Sequence, residues 1–567
     1  MTSTFSTHPR RLPPRAASID YSLYLVTGRE LLPPGVDYYE HLDQTLRGGK
    51  VTVVQIREKH VDNGEFLDIA QRSLAICDKY SVPMLINDNL SVALCLPDRV
   101  GLHIGQEDIP VAEARNLLGD DRLLGLSVHT AEQARQALSN GHADYAGVGP
   151  VYGTQSKVGI TSDKVLGPKG AAAVVAALSD PSSSRRIPCV LIGGINAATC
   201  ARSLTGAASY ANQPDGVAVI SGIVSRRDPE VAAEELSTIV GDFKSRVESA
   251  GRAPSSTRWQ DESLPLLAAD LLAYHRSAPL GPPLIQTITS HVSSTMSANI
   301  ALAFFSSPIM SHQEVEAADL GRVTGAVVLN IGTISEESRR GMTAVGREAN
   351  RGGKPVVLDP VGVGASAFRK SCVEQILSET QVTLIKGNAA ELGAIAGITE
   401  VTSRGVDSGA GTLSDPVSLV RTLARREKCL ILLTGKTDYL SDGDAVFLCE
   451  TGHERASQIT GTGCALGVML AAGMASACIQ AKQSAQEGST GVAHNETASL
   501  TTLLVKASHR ALLLGALTGL LTMNIAAELA AERHDVRGPG SFIPALIDEI
   551  ANLDADTLRK RAKVRLA

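Results

Sequence analysis

In the first 225 residues, charged and hydrogen-bonding side chains come in short bursts, each at the end of a β-branched or aliphatic run. Gln55-Ile-Arg57-Glu58-Lys59 closes Val51–Ile56, Asn87-Asp88 follows Pro83–Ile86, and His103-Ile-Gly-Gln106-Glu107-Asp108 continues Val100–Ile104. Two cations, an amide and several acids at neighbouring strand ends suit a magnesium-bound diphosphate. Carboxylates such as Asp88 and Asp108 hold the hard Mg2+ cation, while Arg57, Lys59 and Asn87 meet phosphate oxygens. Further on come Ser127 in Leu126-Ser-Val-His129, then Thr154-Gln-Ser156-Lys157 after Gly147-Val-Gly-Pro150, and two glycine-rich ends, Gly193-Gly194-Ile-Asn196 and Ile220-Ser221-Gly222. Glycine-rich strand ends offer backbone N–H groups to a second anion, a monophosphate.

The second half carries a different set. Gln458-Ile-Thr-Gly461-Thr-Gly463-Cys464 precedes an alanine-rich helical stretch, so Gly461 and Gly463 can turn their N–H groups inward at a helix N-terminus, an anion hole for a transferring phosphoryl group. Asp359 and Glu391 each follow a strand run and could reach magnesium directly or through water, and Lys386 could hold a nucleotide phosphate. Leu433-Thr434-Gly435-Lys436-Thr437 imitates the tail of a phosphate-binding P-loop. The first glycine of that motif would have to stand at Leu430, so the P-loop reading fails.

These groups need a scaffold. Eight strand-like runs, Leu23–Val26, Val51–Ile56, Pro83–Ile86, Val100–Ile104, Leu123–Val128, Asp144–Val148, Cys189–Ile192 and Gly216–Ile220, alternate with helical stretches, as in a (β/α)8 TIM barrel. The pattern stops after Val247 at a small-residue, proline-containing stretch, and Leu264–Tyr274 opens a new unit. Strand runs at Ala326–Ile331, Pro355–Leu358, Val382–Ile385, Cys429–Leu433 and Ala445–Leu448, followed by long helical segments at Cys464–Ile479 and Leu500–Glu528, read as an open α/β layer structure. The expected organisation is a disordered tail over 1–17, a barrel over 18–247, a linker over 248–262 and a second α/β domain over 263–567. Ser182–Arg186 and Thr205–Pro214 are expected to be surface loops.

Composition narrows the partners. The 567 residues balance 53 basic against 59 acidic side chains with no basic stripe, which argues against nucleic acid and anionic membranes. The apolar stretch Ala511–Ala531 contains Gly515-x-x-x-Gly519, but Asn524 and Glu528 interrupt it, so a buried helix of a soluble domain is expected. Nine scattered cysteines without a CxxC pair indicate a reducing, cytoplasmic setting and no structural metal.

QIREK, IND, GLHIGQED, LSVHT, GVGPVYGTQSK, IGGIN and GVAVIS resemble, in order, the motifs of thiamine phosphate synthase. The resemblance implies that the diphosphate belongs to an aminopyrimidine substrate and the monophosphate to hydroxyethylthiazole phosphate. It implies that Gln55, His103 and Ser127 bind the pyrimidine, that Thr154, Ser156, Gly194, Ile220 and Ser221 bind the thiazole phosphate, and that Arg57, Lys59 and Lys157 stabilise the leaving diphosphate. Gly153 replaces a proline common in that family, and a looser loop is expected there. Thr287–Ser307, Ser307-Pro308-Ile-Met310, Leu329-Asn330-Ile-Gly332-Thr333, Leu358-Asp359-Pro360-Val-Gly-Val-Gly364 and Lys386-Gly387-Asn388 resemble hydroxyethylthiazole kinase, of the ribokinase-like group. That resemblance implies that Met310 and Gly461 contact the thiazole alcohol and that Lys386 and Thr434 contact ATP. It also implies that Cys464 stands where wider relatives place a catalytic Asp, and that kinase units assemble as a trimeric homo-oligomer. Cys464 is assigned to positioning of the substrate hydroxyl, with base action open. Two alternatives stay open: a barrel epimerase or aldolase fused to a sugar or hydroxymethylpyrimidine kinase, and a thiamine-responsive binding protein without turnover.

Overall fold

A computed structural model describes residues 18–154, 164–180, 182, 185–209, 212–252, 259, 263–398, 415–486 and 509–567. The chain divides into two units, residues 1–245 and 246–567.

In the first unit, β1 (Leu23–Val26), β2 (Val53–Ile56), β3 (Met84–Asn87), β4 (Gly101–Ile104), β5 (Leu124–Val128), β6 (Tyr145–Val148), β7 (Cys189–Ile192) and β8 (Gly216–Val219) pair in parallel in sequence order. Strand β8 returns to β1, so the sheet closes into the expected eight-stranded barrel. Strands flanked on both faces, by helices outside and side chains within, must be apolar throughout, which is why these runs lack polar alternation. The barrel interior is filled by Tyr21, Tyr24, Val26, Val53, Leu85, Tyr145, Val190 and Ala218. Each strand delivers its last one or two residues to the C-terminal rim, where barrel sites assemble.

Two loop expectations need correction. Arg185–Arg186 forms a short antiparallel ribbon with Ser179–Asp180, and Thr205 lies in the last turn of helix α1 (Ala197–Ala207), fully buried. Asn212 is buried as well: its Nδ2 donates to Val175 O at 2.7 Å and its Oδ1 accepts from Arg186 Nε at 2.6 Å. Small polar residues looked like loop chemistry, but helix packing buries Thr205 and tertiary hydrogen bonds draw Asn212 inward. The expected linker start is also shifted, because helix α2 (Pro229–Arg252) continues through Ser249.

The second unit is built on β9 (Leu284–Ile288), β10 (Ser307–Ile309), β11 (Ala326–Asn330), β12 (Val356–Asp359), β13 (Leu384–Gly387), β14 (Leu430–Leu433), β15 (Asp438–Ser441), β16 (Val446–Cys449) and β17 (Val564–Leu566). Their order is β10-β9-β11-β12-β13-β14-β15-β16-β17. The first six strands of that order are parallel and the last three join antiparallel. Four strands escaped the sequence reading. β10 carries Pro308, tolerated because it lies at the sheet edge. β15 begins with the Asp and ends with the Ser of turn chemistry, β9 is interrupted by Gln286 and Thr287, and β17 has three residues.

Apolar clusters cover both faces of this sheet, as an open α/β layer requires. One contains the helix pair α4 (Thr462–Gln486) and α5 (His509–Glu532). A Cβ on Gly473 would lie 2.2 Å from Gly515 O, so the Gly515/Gly519 stripe is a close helix–helix contact. Both helices are apolar and long enough to cross a membrane, yet 78% of each apolar window is buried within the unit. Residues 500–508 of the expected second helix lie outside the described residues.

Helix α5 also grips β15 at both ends. Asn524 Nδ2 donates to Asp438 Oδ2 at 2.7 Å, and His509 Nε2 meets Asp442 Oδ2 at 2.7 Å just beyond the strand.

Candidate active sites

At the barrel mouth, the ends of β2 and β3 meet through Lys59 Nζ and Asp88 Oδ2, 2.7 Å apart. Asp88 adopts a left-handed φ of 60° and donates its N–H to His103 O at 2.8 Å, which turns the residue out of the strand into the mouth. Asp108, from the loop after β4, accepts Gly105 N–H at 2.7 Å. Asp88 and Asp108 interact directly. Burial pushes the Asp88 carboxyl up, but its bonds to Lys59 and Asp108 win and hold it below the usual range. Asp108 is shifted the other way, raised first by burial and then by the neighbouring Asp88 charge. Two adjacent carboxyls, one held low and the other raised by its neighbour, form a donor set that suits a divalent cation. Among the described residues no group of three His, Cys, Asp or Glu side chains is arranged to hold a metal. Any such cation would therefore rely on substrate oxygens or water for its remaining ligands.

Arg57 is buried and aimed by neighbours: its N–H donates to Thr27 Oγ1 at 3.0 Å and its Nη1 to Glu30 Oε1 at 3.1 Å. Asn87, at the end of β3, is buried beside them. Below this charged rim runs an uninterrupted hydrogen-bonded chain through the barrel. Gln55 Nε2 donates to Tyr24 Oη at 2.9 Å, Tyr24 and Tyr145 hydroxyls lie 2.7 Å apart, and Tyr145 Oη lies 2.8 Å from His103 Nδ1. His103 Nε2 then reaches Ser127 Oγ at 3.0 Å. The structure thus joins Gln55, His103 and Ser127, and adds Tyr24 and Tyr145, which sequence reading passed over as core aromatics. Glu30 was also missed; it lies in a single 3-10 turn, Arg29–Leu31, with no motif of its own.

Across the same rim, after β7, Gly193 and Gly194 take φ values of +101° and +65°. A Cβ on Gly194 would fall 2.7 Å from Tyr152 Cβ, so the loop after β7 lies directly against the loop after β6 that carries Thr154. Ile220 follows β8 as the N-cap of the short helix that Ser221 opens. Ser156 and Lys157 lie outside the described residues.

In the second unit, Asn330, Asp359 and Lys386 stand at the adjacent C-terminal ends of β11, β12 and β13. Asp359 is completely buried. Its Oδ2 accepts from Asn330 Nδ2 at 2.8 Å and pairs with Lys386 Nζ at 3.0 Å, while Oδ1 has no partner among the described residues. Burial raises the Asp359 carboxyl to about 6 against the pull of Lys386, and nearby Glu391 adds to the rise. An orphaned, buried carboxylate oxygen is the opening a cation would fill. Glu391 is differently placed: Oε2 accepts Asn388 N–H at 2.9 Å and Oε1 accepts Gly362 N–H at 3.0 Å. It closes a capping box on helix α3 (Ala389–Ala396), so both of its oxygens are already engaged.

Lys386 is buried, which alone would depress its ammonium; Asp359, Glu391 and Cys464 together raise it instead. Its Nζ reaches the first turn of α4, 3.7 Å from where a Cβ on Gly463 would lie. Gly461 has φ of +93°, a backbone only glycine adopts freely, and packs against Ser293 and Met296. Cys464 is half-buried beside Asp359, Lys386, Ser293 and Asn330. A helix N-terminus by itself lowers a thiol pKa. Burial, reinforced by the Asp359 charge, outweighs that and raises it.

Thr434 follows β14 and donates its N–H to Gly387 O at 2.9 Å, which brings it beside Lys386. The next residue, Gly435, donates to Asp438 Oδ1 at 3.0 Å. Met310 lies just past the edge strand β10 and is 36% exposed; no described contact joins it to Gly461 or Cys464.

A parallel barrel with an anion-handling mouth and an α/β layer with a glycine-flanked phosphoryl site together define a two-site transferase. The thiamine monophosphate synthase family model matches residues 23–223, and the hydroxyethylthiazole kinase family model matches residues 280–511. A probable thiamine biosynthetic bifunctional enzyme of Schizosaccharomyces pombe is 33% identical over 97% of this chain and 99% of its own length. The thiamine biosynthetic bifunctional enzyme of Saccharomyces cerevisiae is 32% identical over 75% of this chain and 77% of its own. A hydroxyethylthiazole kinase of Alkaliphilus oremlandii is 36% identical over 50% of this chain and 92% of its own. The chain belongs to the family of bifunctional thiamine biosynthetic enzymes, with a thiamine phosphate synthase domain and a hydroxyethylthiazole kinase domain that takes ATP as co-substrate.

Proposed function

We propose that the kinase unit phosphorylates 4-methyl-5-(2-hydroxyethyl)thiazole with ATP, and that the barrel joins this product to 4-amino-2-methyl-5-pyrimidinylmethyl diphosphate. In the barrel step, the methylene C–O bond breaks and diphosphate leaves with the electron pair. The thiazole nitrogen then donates its lone pair to the methylene carbon, forming thiamine phosphate. Arg57, Lys59, Asn87 and Lys157 stabilise the departing charge electrostatically. Gln55, His103 and Ser127 hold the pyrimidine, and Thr154, Ser156, Gly194, Ile220 and Ser221 hold the thiazole phosphate. The observation that carries this reading is the position of the buried polar chain directly beneath a charged rim: one surface orients a flat heterocycle and the other takes its diphosphate.

In the kinase unit, Gly461 and the first turn of α4 receive the transferring phosphoryl group, Lys386 and Thr434 hold nucleotide phosphates, and Met310 contacts the thiazole. Cys464 positions the substrate hydroxyl as a neutral thiol, a role supported by its raised pKa. Magnesium would be held by Asp88 and Asp108 in the barrel and by Asp359 in the kinase, with Glu391 acting through water. When bound it supplies charge neutralisation at phosphate oxygens.

Exposed Met310, Phe305, Leu302 and Val315 around the edge strand β10 support a homo-oligomer, with kinase units in a trimer, in which a neighbouring copy covers this edge. The nine free cysteines support a cytoplasmic location. The boundaries 18–247 and 263–567 serve for the two catalytic domains, with the helix of the first running on to Arg252. Purified full-length protein supplied with hydroxyethylthiazole, ATP, magnesium and the pyrimidine diphosphate should yield thiamine phosphate only when all four are present. Absence of product from folded protein would refute the two-step reading.

A further inference from the structure

The polar chain inside the barrel can be ordered in one direction. Gln55 donates from Nε2 to Tyr24 Oη, and either hydroxyl can donate across the 2.7 Å Tyr24–Tyr145 contact; in the order that runs toward His103, the Tyr24 proton goes to Tyr145 Oη. Tyr145 in turn has its own proton for His103 Nδ1 at 2.8 Å. Burial, the leading cause in both cases, holds the two phenols well above the usual tyrosine range, so both remain protonated donors. An imidazole that accepts at Nδ1 carries its proton on Nε2 and donates it to Ser127 Oγ at 3.0 Å. The Ser127 proton is then directed away from His103. At the opposite end, Gln55 has used its amide nitrogen inward and offers Oε1 as an acceptor.

The two ends are therefore unlike: Gln55 accepts and Ser127 donates. Space for this arrangement is reserved by Gly125, where a Cβ would fall 2.3 Å from Tyr145 Cζ and 2.4 Å from His103 Nδ1. Any other residue there would separate the two rings.

We propose that Tyr145 is a positioning residue that fixes the His103 tautomer and, through it, sets the barrel to accept an aminopyrimidine and reject its oxo counterpart. The amino heterocycle carries a donor amine and an acceptor ring nitrogen, matching an acceptor and a donor in the protein. The 4-oxo form presents an acceptor oxygen and a ring N–H, the reversed pattern, and leaves buried polar groups unpaired. This inference rests on the reading that Gln55 and Ser127 hold the pyrimidine.

The test compares full-length wild type with Tyr145→Phe, which keeps the ring and removes the bridging hydroxyl. Two readouts are needed: kcat/KM of the synthase step for the 4-amino and 4-oxo pyrimidine diphosphates, and 15N NMR of histidine-labelled protein, with His103 assigned by His103→Gln. Wild type should show an unprotonated Nδ1 and a preference for the amino substrate. In Tyr145→Phe the nitrogen signature should shift toward mixed tautomers and the amino-over-oxo ratio should fall about tenfold, the size of one lost hydrogen bond. KM for the thiazole phosphate should stay within about twofold, because no monophosphate contact is touched. An unchanged tautomer or an unchanged ratio would overturn the proposal. If Tyr145→Phe does not fold, Tyr24→Phe breaks the same chain one bond earlier and should move both readouts in the same direction. Gln55→Ala and Ser127→Ala separate the premises: if neither changes KM for the pyrimidine diphosphate while Tyr145→Phe still shifts the His103 signals, the placement of the pyrimidine is what fails.

Discussion

Replacing Cys464 by alanine separates two roles that differ by orders of magnitude. The thiol lies at the start of α4, flanked by Asp359 and Lys386, and its pKa is raised by burial and then by the Asp359 charge. A thiol with the ordinary pKa of about 8.5 is only about one-tenth ionised at pH 7.5, and a raised one is ionised less. A base present in so small a fraction contributes little, whereas a neutral thiol still orients the attacking hydroxyl. The positioning role predicts loss of one hydrogen bond, about 0.5–1.5 kcal/mol, or roughly a 2- to 12-fold fall in kinase kcat. Removal of a working general base would instead cost about 10²- to 10⁴-fold. The assay is ADP release from ATP and hydroxyethylthiazole under saturating conditions, for Cys464→Ala and Cys464→Ser, across pH 6 to 9. Cys464→Ser should retain most activity because a hydroxyl can replace the thiol contact. A drop beyond a hundredfold in the alanine variant would refute the positioning role. So would a wild-type kcat that climbs tenfold per pH unit through neutrality, with that climb lost in the variant.

Asp88→Ala should abolish synthase turnover at ordinary magnesium concentrations and leave kinase kinetics intact; unchanged synthase turnover would remove Asp88 from the metal set. Lys386→Met leaves the fully buried Asp359 without its cation, which should destabilise the kinase unit by about 3–5 kcal/mol in urea unfolding. Adding Asp359→Leu should restore much of that loss, and a double variant as unstable as the single would exclude the ion pair as the cause. Burial raises Asp438 to about 6 in the folded state, above its unfolded value near 3.9. Its contribution to stability is therefore full below about pH 4 and is lost as pH rises through 6, a total of about 3 kcal/mol. Asp438→Asn should flatten that part of the pH–stability curve relative to wild type, as read from unfolding midpoints of the kinase transition.

The barrel was legible because buried parallel strands are uniformly apolar and their polar ends mark the rim; Gln55, Arg57, Lys59, Asp88 and Asp108 all stand out against such runs. What the pattern hid was chemistry performed by residues that also look like core. Tyr24 and Tyr145 fall on the inward phase of β1 and β6, where an aromatic needs no explanation until its hydroxyl is traced to a partner. In the kinase unit, Asp359 and Lys386 were visible as charges at strand ends, but not that they face each other, because register between non-adjacent segments is not written locally. At Glu391 a second, local role went unread. An acid three residues after Asn388 is a capping-box signature, and the metal reading passed over that local rule. Thr205 failed as a surface-loop prediction because it lies on a buried helix turn, and Asn212 because its partners Val175 and Arg186 lie far away in sequence.

The double grip of α5 on β15 has a mechanical consequence. The loop that carries Thr434 is held by Asp438, Asp438 is held by Asn524, and the far end of the same strand is held through Asp442 by His509. Strand and helix therefore behave as one stiff lever, with one end at the proposed nucleotide phosphates and the other at the start of α5. A change of length or sequence in the segment that leads into α5 meets the His509 anchor before it can reach the nucleotide loop. The kinase can thus tolerate variation at the base of the lever while keeping its working end in register.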